Sequence, residues 1–301
     1  VAQSSAGYAF DGRLNDSFRA LNLLLEKGVA VRRVDKADQG LRPGDFVVAA
    51  GSEAVLAGVA KETGVDFIAL KEDLKQGTHE VKRLRIGMYQ RYWGGNMDEG
   101  WTRWLLEQFG FPYTTLMDAE IKKGGLNEKY DLIILPDDST AMITGERTAG
   151  PGRPEETYPP EYRSGIGNEG VNALKAFVEK GGTLVTLGGA SNFAIEKLGL
   201  SVRNVVANKS SKEFFCPGST LRVKFDNANP LAYGMPAEGL AVYLSGNPAF
   251  EIIPSEHNEW YEIIVRYADR DLLQSGWLIG EETLAKKVGM IAAKYGDGRV
   301  V

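Results

Sequence analysis

Residues 168–192 read NEGVNALKAFVEKGGTLVTLGGASN, and the order of their parts decides the fold. Val171, Leu174, Phe177 and Val178 recur at helical spacing, which predicts a helix over 168–180 with one apolar face. Gly181-Gly182 ends it, because glycine accepts the left-handed backbone that closes a helix. Residues 183–187 form a buried strand that runs directly into Gly188-Gly189-Ala190-Ser191-Asn192, and a short helix follows over 193–198. Helix, buried strand, glycine turn and helix in that order are the unit of an α/β protein, whose strands lie mostly parallel under helices on both faces.

The same alternation extends outward. Upstream, 130–136 is a strongly apolar strand, 113–116 another and 84–90 a third. Asn96 caps a helix reaching about residue 109, and Asn96-x-x-Glu99 resembles a capping box. On that helix Trp101, Trp104, Leu105 and Gln108 line one face, which is expected to bring the two tryptophans into the core. Residues 138–167 are polar and rich in Pro and Gly, and a connection of that length is often functional. Beyond Gly199 the strands shorten, at 221–225, 241–244, 260–265 and 288–292.

The first 70 residues carry strands at 7–10, 29–34, 45–50 and 65–70, a helix capped by Asp16-Ser17 and stopped by Gly28, and a second helix over 52–63. They predict a small α/β unit over 1–75. The charged, aperiodic run 71–83 (KEDLKQGTHEVKR) reads as a linker to a second region, 84–301.

In a parallel α/β sheet, ligands bind beyond the carboxyl ends of the strands. Three loops are therefore expected to converge: 90–96, 137–140 and 188–192.

Composition narrows the function. The 301 residues are 43% hydrophobic and 25% charged, a globular balance that excludes a disordered chain or a coiled coil. A net charge of −5 without a basic stripe leaves nothing to neutralise phosphates, so no nucleic-acid partner is expected. No apolar run approaches the ~20 residues of a membrane span. Cys216 is the only cysteine, which excludes an internal disulfide and a thiolate metal cage. The last residues, Gly298-Arg299-Val300-Val301, read as a turn and the start of a strand, so the chain reads as a fragment of a longer polypeptide, truncated at its C-terminus.

The run RIGMYQRYWGGNMDEGWTRWLLEQFGFPYTTL (85–116), with YDLIILPDD (130–138), LVTLGGAS (184–191) and NPLAYGMP (229–236), resembles the C-terminal region of large bacterial proteins with an N-terminal zinc peptidase domain of the carboxypeptidase A type. That C-terminal region is similar to a class I glutamine amidotransferase domain. The resemblance implies a flavodoxin-like fold over 84–301 and a secreted or periplasmic parent that removes C-terminal residues from peptides. The parent's zinc belongs to its peptidase domain, which is the implied partner. The family's His-x-x-Glu zinc pair is absent here: His79 is followed at the third position by Lys82, and His257 by Trp260. No metal ligand or cofactor is therefore expected in this chain. The amidotransferase resemblance also implies a nucleophilic Cys on the strand-to-helix turn, and there the matching position is Ala190, whose methyl cannot attack an amide.

The remaining candidates each carry two readings. Ser191 with His257 and Glu259 could form a cryptic hydrolase on a shifted elbow; alternatively Ser191 or Asn192 caps the short helix. Asp137 and Asp138, with Ser139 beside them, could contact a ligand or cation, or simply make a turn and helix cap. Asp98 and Glu99 could be an acid–base pair, or first-turn acids that favour the helix dipole. Arg91, Tyr92 and Trp93 suit a glycan, a peptide terminus or a carboxylate, or they pack against 138–167. Gly188-Gly189 could let backbone amides meet an anion, or could serve the turn alone. The sequence thus leads to a non-catalytic accessory region of a secreted zinc carboxypeptidase, with a glycan- or peptide-binding module and the Ser191/His257 hydrolase as alternatives.

Overall fold

The computed structural model describes residues 3–301 except 75, 93, 94, 147–158, 160, 161 and 163. They group into two units.

The first unit joins Val1–Arg83 with Trp104–Pro112 and Phe225–Ala237. Its elements are β1 (Tyr8–Phe10), α1 (Asn15–Glu26), β2 (Val31–Val34), β3 (Phe46–Val48), α2 (Glu53–Thr63), β4 (Ile68–Ala69) and β5 (Thr78–Glu80). The sheet order is β4-β1-β3-β2-β5, and its pairings are antiparallel. Because β1 and β2 both pair antiparallel with β3, they run parallel to each other. The strand–helix–strand crossover read in the sequence is real, but a third strand is inserted into it. The run 71–83 is not a plain linker, since β5 lies within it and pairs with β2, Arg32 opposite Glu80. The α1 helix starts at Asn15 without a side-chain cap, and Ser17 is buried inside it rather than capping. Tyr8, Phe10, Leu24, Phe46 and Leu56 fill the core under α1 and α2, with Phe10 and Phe46 stacked at 4.9 Å. Burial of each such side chain is worth roughly 1.5–3 kcal/mol.

The second unit comprises Leu84–Arg103, Tyr113–Lys224 and Glu238–Val301. Its elements are β6 (Ile86–Tyr89), α3 (Met97–Gln108, whose last turn groups with the first unit), β7 (Tyr113–Leu116), α4 (Asp118–Lys123), β8 (Leu132–Leu135), α5 (Thr140–Thr144), α6 (Gly167–Glu179), β9 (Thr183–Thr186), α7 (Ala190–Leu198) and β10 (Val202–Asn204). There follow β11 (Gly218–Phe225), β12 (Glu238–Leu244), β13 (Phe250–Ile252), β14 (Tyr261–Tyr267), β15 (Leu273–Ser275), β16 (Val288–Tyr295) and β17 (Gly298–Val300).

Five strands run parallel in the order β7-β6-β8-β9-β17. Counted along the chain this is 2-1-3-4-5, the flavodoxin-like order. Tyr89, Leu116, Ile133, Leu135 and Leu184 pack on one face with Leu174, Phe177 and Phe193 of the helices. The opposite alternation, Ile86, Met88 and Ile134, is buried as well. Burial on both faces explains why these strands read as continuous apolar runs. From β17 the sheet turns antiparallel through a hairpin at Gly296-Asp297 and continues through β16 and β14 to β11 and β12.

The helix α3 departs from expectation. Trp101 and Trp104 are 65% and 49% exposed, whereas Glu99 is 4% exposed. Helical spacing groups side chains on a face but does not say which face turns inward. Here the inward residue is an acid, paired one turn on with Arg103. Asn96 does cap the helix, its Oδ1 accepting the N–H groups of Asp98 at 3.0 Å and Glu99 at 3.2 Å. The stretch 138–167, expected to be a long functional connection, contains the short helix α5, and its residues 147–158, 160, 161 and 163 lie outside the described residues.

Candidate functional site

Strands β6 and β8 are neighbours whose connections leave in opposite directions, so the switch point of the sheet lies between their carboxyl ends. The three expected loops do meet there, and Asp137 joins them. Its Oδ1 accepts the N–H of Gly189 at 2.6 Å. Its own N–H donates to Asp98 Oδ2 at 2.7 Å, and its carbonyl accepts from Asn96 Nδ2 at 3.0 Å. Beside it, Asp138 Oδ2 lies 2.7 Å from Arg91 Nε, with the two side chains only 10% and 14% exposed. Burial pushes the Asp138 carboxyl above the usual aspartate range, and the Arg91 charge opposes that rise. Ser139 caps α5, accepting the Met142 N–H at 3.3 Å.

The strand-to-helix turn differs from the sequence assignment. A nucleophile elbow places its reactive residue on the strained residue between strand and helix. That residue is Gly188, with φ +50°. Ala190, expected at the turn, is the first residue of α7 and fully buried. Gly188 has no side chain, and a Cβ built there would sit 2.5 Å from Asp137 Cγ. The space that an elbow side chain needs is thus filled by a carboxylate. The same carboxylate takes the Gly189 amide, a donor that an anion would otherwise use.

The hydrolase candidates keep separate company. Ser191 Oγ donates to the Thr186 carbonyl at 3.3 Å. His257 sits on an exposed turn, stacked on Trp260 at 3.8 Å, with Nδ1 3.6 Å from a Glu259 oxygen. The partners of Ser191 and of His257 have no residue in common. Asn192 Oδ1 accepts from Asn204 Nδ2 at 3.0 Å, tying α7 to β10; neither Ser191 nor Asn192 is the helix cap, a position held by Gly189. Trp93 lies outside the described residues. Cys216 is buried, and burial raises its thiol, which keeps it from being a ready nucleophile. Among the described residues no group of three His, Cys, Asp or Glu side chains could hold a metal ion, and no helix is long and apolar enough to cross a membrane.

Asp98 and Glu99 do lie in the first turn of α3, as their position suggests, and each also has a contact that sequence reasoning missed: Asp98 holds the Asp137 backbone, and Glu99 is buried against Arg103. Asp118, just past β7, is buried and accepts from Tyr89 Oη at 2.7 Å and from the Gly165 N–H at 2.9 Å. The signal was available, because Asp118 also follows a parallel strand at its carboxyl end.

The arrangement binds its own parts: an ion pair, a carboxylate seated in a glycine turn, and backbone amides already taken. No protein-family model and no curated protein matches the chain. Among solved structures it is similar to a cytoplasmic protein from Salmonella typhimurium, with 12% identity and a TM-score of 0.43 over 72% of this chain and 85% of that one. It is also similar to a glutamine amidotransferase from Thermotoga maritima, with 12% identity and a TM-score of 0.38 over 73% and 75%. A ThuA-like protein from Bacteroides uniformis gives 12% identity and a TM-score of 0.37 over 73% and 81%.

Proposed function

We propose that residues 84–301 are a non-catalytic accessory region of a secreted zinc carboxypeptidase, built on an amidotransferase-type scaffold and serving to support its peptidase domain. One observation supports the non-catalytic half of this reading: the elbow residue is Gly188, and the Asp137 carboxylate occupies the place where a reactive side chain would stand. A hydrolase needs a nucleophile within reach of a base, and Ser191 bonds instead to the Thr186 carbonyl at the end of β9. The sequence resemblance supplies the parent and the partner.

The test is an assay of the purified chain with zinc and peptides bearing free C-termini, and separately with glutamine. Neither substrate should turn over, and no serine- or cysteine-directed covalent probe should label the chain. Turnover of either substrate, or a labelled Ser191, would overturn the reading. Its positive half requires that the encoded polypeptide carry a His-x-x-Glu peptidase domain whose thermal stability falls when residues 1–301 are removed together, since 104–112 and 225–237 belong to the first unit.

A further inference from the structure

The main run of the large sheet, from β7 to β12, ends in two outer strands that are finished differently. One is β7, four residues long, beside a hollow lined by Arg85, Glu120, Lys123 and Lys129. Charges next to a short edge strand discourage pairing with another chain. The other is β12, seven residues long and antiparallel to β11 along its length. Among the described residues no strand pairs with its outer edge.

Strand β12 has charged neighbours only at its start, where Glu238, Gly239 and Leu240 border a hollow lined by Arg222, Lys224, Asp269, Arg270 and Asp271. Residues 239–246 read GLAVYLSG, with no charge and no proline. Alternate residues Leu240, Val242 and Leu244 are 54%, 69% and 55% exposed, while Tyr243 on the other side of the pleat is buried. The single charge on the strand, Glu238, lies opposite Lys224 of β11. An edge of this kind is a template for a further strand.

We propose that this edge pairs with the β12 strand of a second copy, antiparallel, about a two-fold axis at Val242. The pattern selects the occupant because it is complementary to itself. With Val242 on the axis, Leu240 faces the second copy's Leu244, Leu244 faces its Leu240, and the two Val242 side chains meet. All three exposed apolar residues then cover one another on one face. Glu238 falls opposite Gly246, beyond the paired stretch, so no like charges oppose across the axis. A closed two-fold contact uses both edges and leaves none for a third chain. The shared stretch of five residues is only ~17 Å long, below the area of a standard interface, so the dimer should dissociate on dilution.

Sedimentation of the intact chain should show a reversible monomer–dimer equilibrium, with dimer predominant at ~100 µM and monomer at ~1 µM. Val242→Lys places two like charges on the axis and should weaken association at least tenfold while the circular dichroism melt of the diluted monomer is retained. Val242→Cys should form a disulfide dimer under copper–phenanthroline oxidation, because directly opposed Cα atoms of about 4.5–5.5 Å suit a disulfide. Leu240→Cys alone should not cross-link, whereas an equimolar mixture of Leu240→Cys and Leu244→Cys should. A chain that stays monomeric at ~100 µM, a dimer indifferent to Val242→Lys, or cross-linking at Leu240 but not at Val242 would each overturn the proposal. A monomer that takes up an extended apolar peptide at β12 would assign the edge to another protein, and would overturn it too.

Discussion

The two ends of the large sheet put polar chemistry to opposite uses. At the carboxyl edge of the parallel half, Arg91, Asp98, Asp137 and Asp138 are consumed in contacts with one another and with the backbone. At the far edge of the antiparallel half, β12 carries almost no polar side chains and leaves an apolar stripe uncovered. Among the described residues, the polar side chains at the edge where this fold places ligands are therefore held by one another, while β12 leaves an apolar stripe open where fold rules would not nominate a site. Polar residues at a strand end show where a site could stand; whether they are available depends on what they already hold.

The comparison can be broken most forcefully at Arg91. Removing it leaves the Asp138 carboxylate nearly buried without its cation, which should cost about 3–5 kcal/mol in urea unfolding. Replacing the pair together, Arg91→Met with Asp138→Leu, should cost far less. If Arg91→Ala costs under ~1 kcal/mol, the carboxyl edge is not held by its charges.

Gly188→Ala comes next. It forces a side chain into a left-handed position and against Asp137, for an expected loss of about 1–3 kcal/mol. Adding Asp137→Gly should recover part of that loss, and a double-mutant cycle measures the recovered share. An additive pair would mean that the carboxylate does not fill the elbow.

A smaller effect is in pH dependence. The folded state holds a proton on Asp138 at pH values where the unfolded chain has released it, so this group's contribution to stability falls as pH rises from the ordinary aspartate value through the raised one. Asp138→Asn should remove that component from the urea midpoint measured across acidic pH. An unchanged profile would place the carboxylate in solvent.

The smallest effect is expected at the open edge. Val242→Lys should alter unfolding of the dilute monomer by less than about 0.5 kcal/mol. A larger loss would show that β12 is packed rather than exposed, and the contrast between the edges would fail.

Much of the fold was legible in the sequence because its signals are local. Tyr113–Leu116 matches its expected strand in full, and Gly28 and Gly181, read as helix stops, follow α1 and α6 with positive φ. The convergence of three loops followed from a topological rule, and the contacts of Asp137 bear it out. What was not legible depends on orientation in space. The spacing of Trp101 and Trp104 is the same whether the face they share turns inward or outward. The elbow was placed two residues late because four small residues in a row, Gly188 to Ser191, offer no side-chain mark of which one bends. The pairing of β5 with β2 escaped notice because Thr78, His79 and Glu80 have no apolar alternation to advertise it.

The guanidinium of Arg33 lies between two aromatic rings, 5.6 Å from the centroid of Phe46 and 5.2 Å from that of Tyr233. Phe46 belongs to the first stretch of its unit, whereas Tyr233 arrives from a segment nearly two hundred residues later. A recombinant piece cut cleanly after Arg83 would therefore expose one side of that arginine to water, along with the bed on which Gly234 approaches Gly12. Anyone dissecting this protein should splice in 225–237 rather than trust the order of the chain.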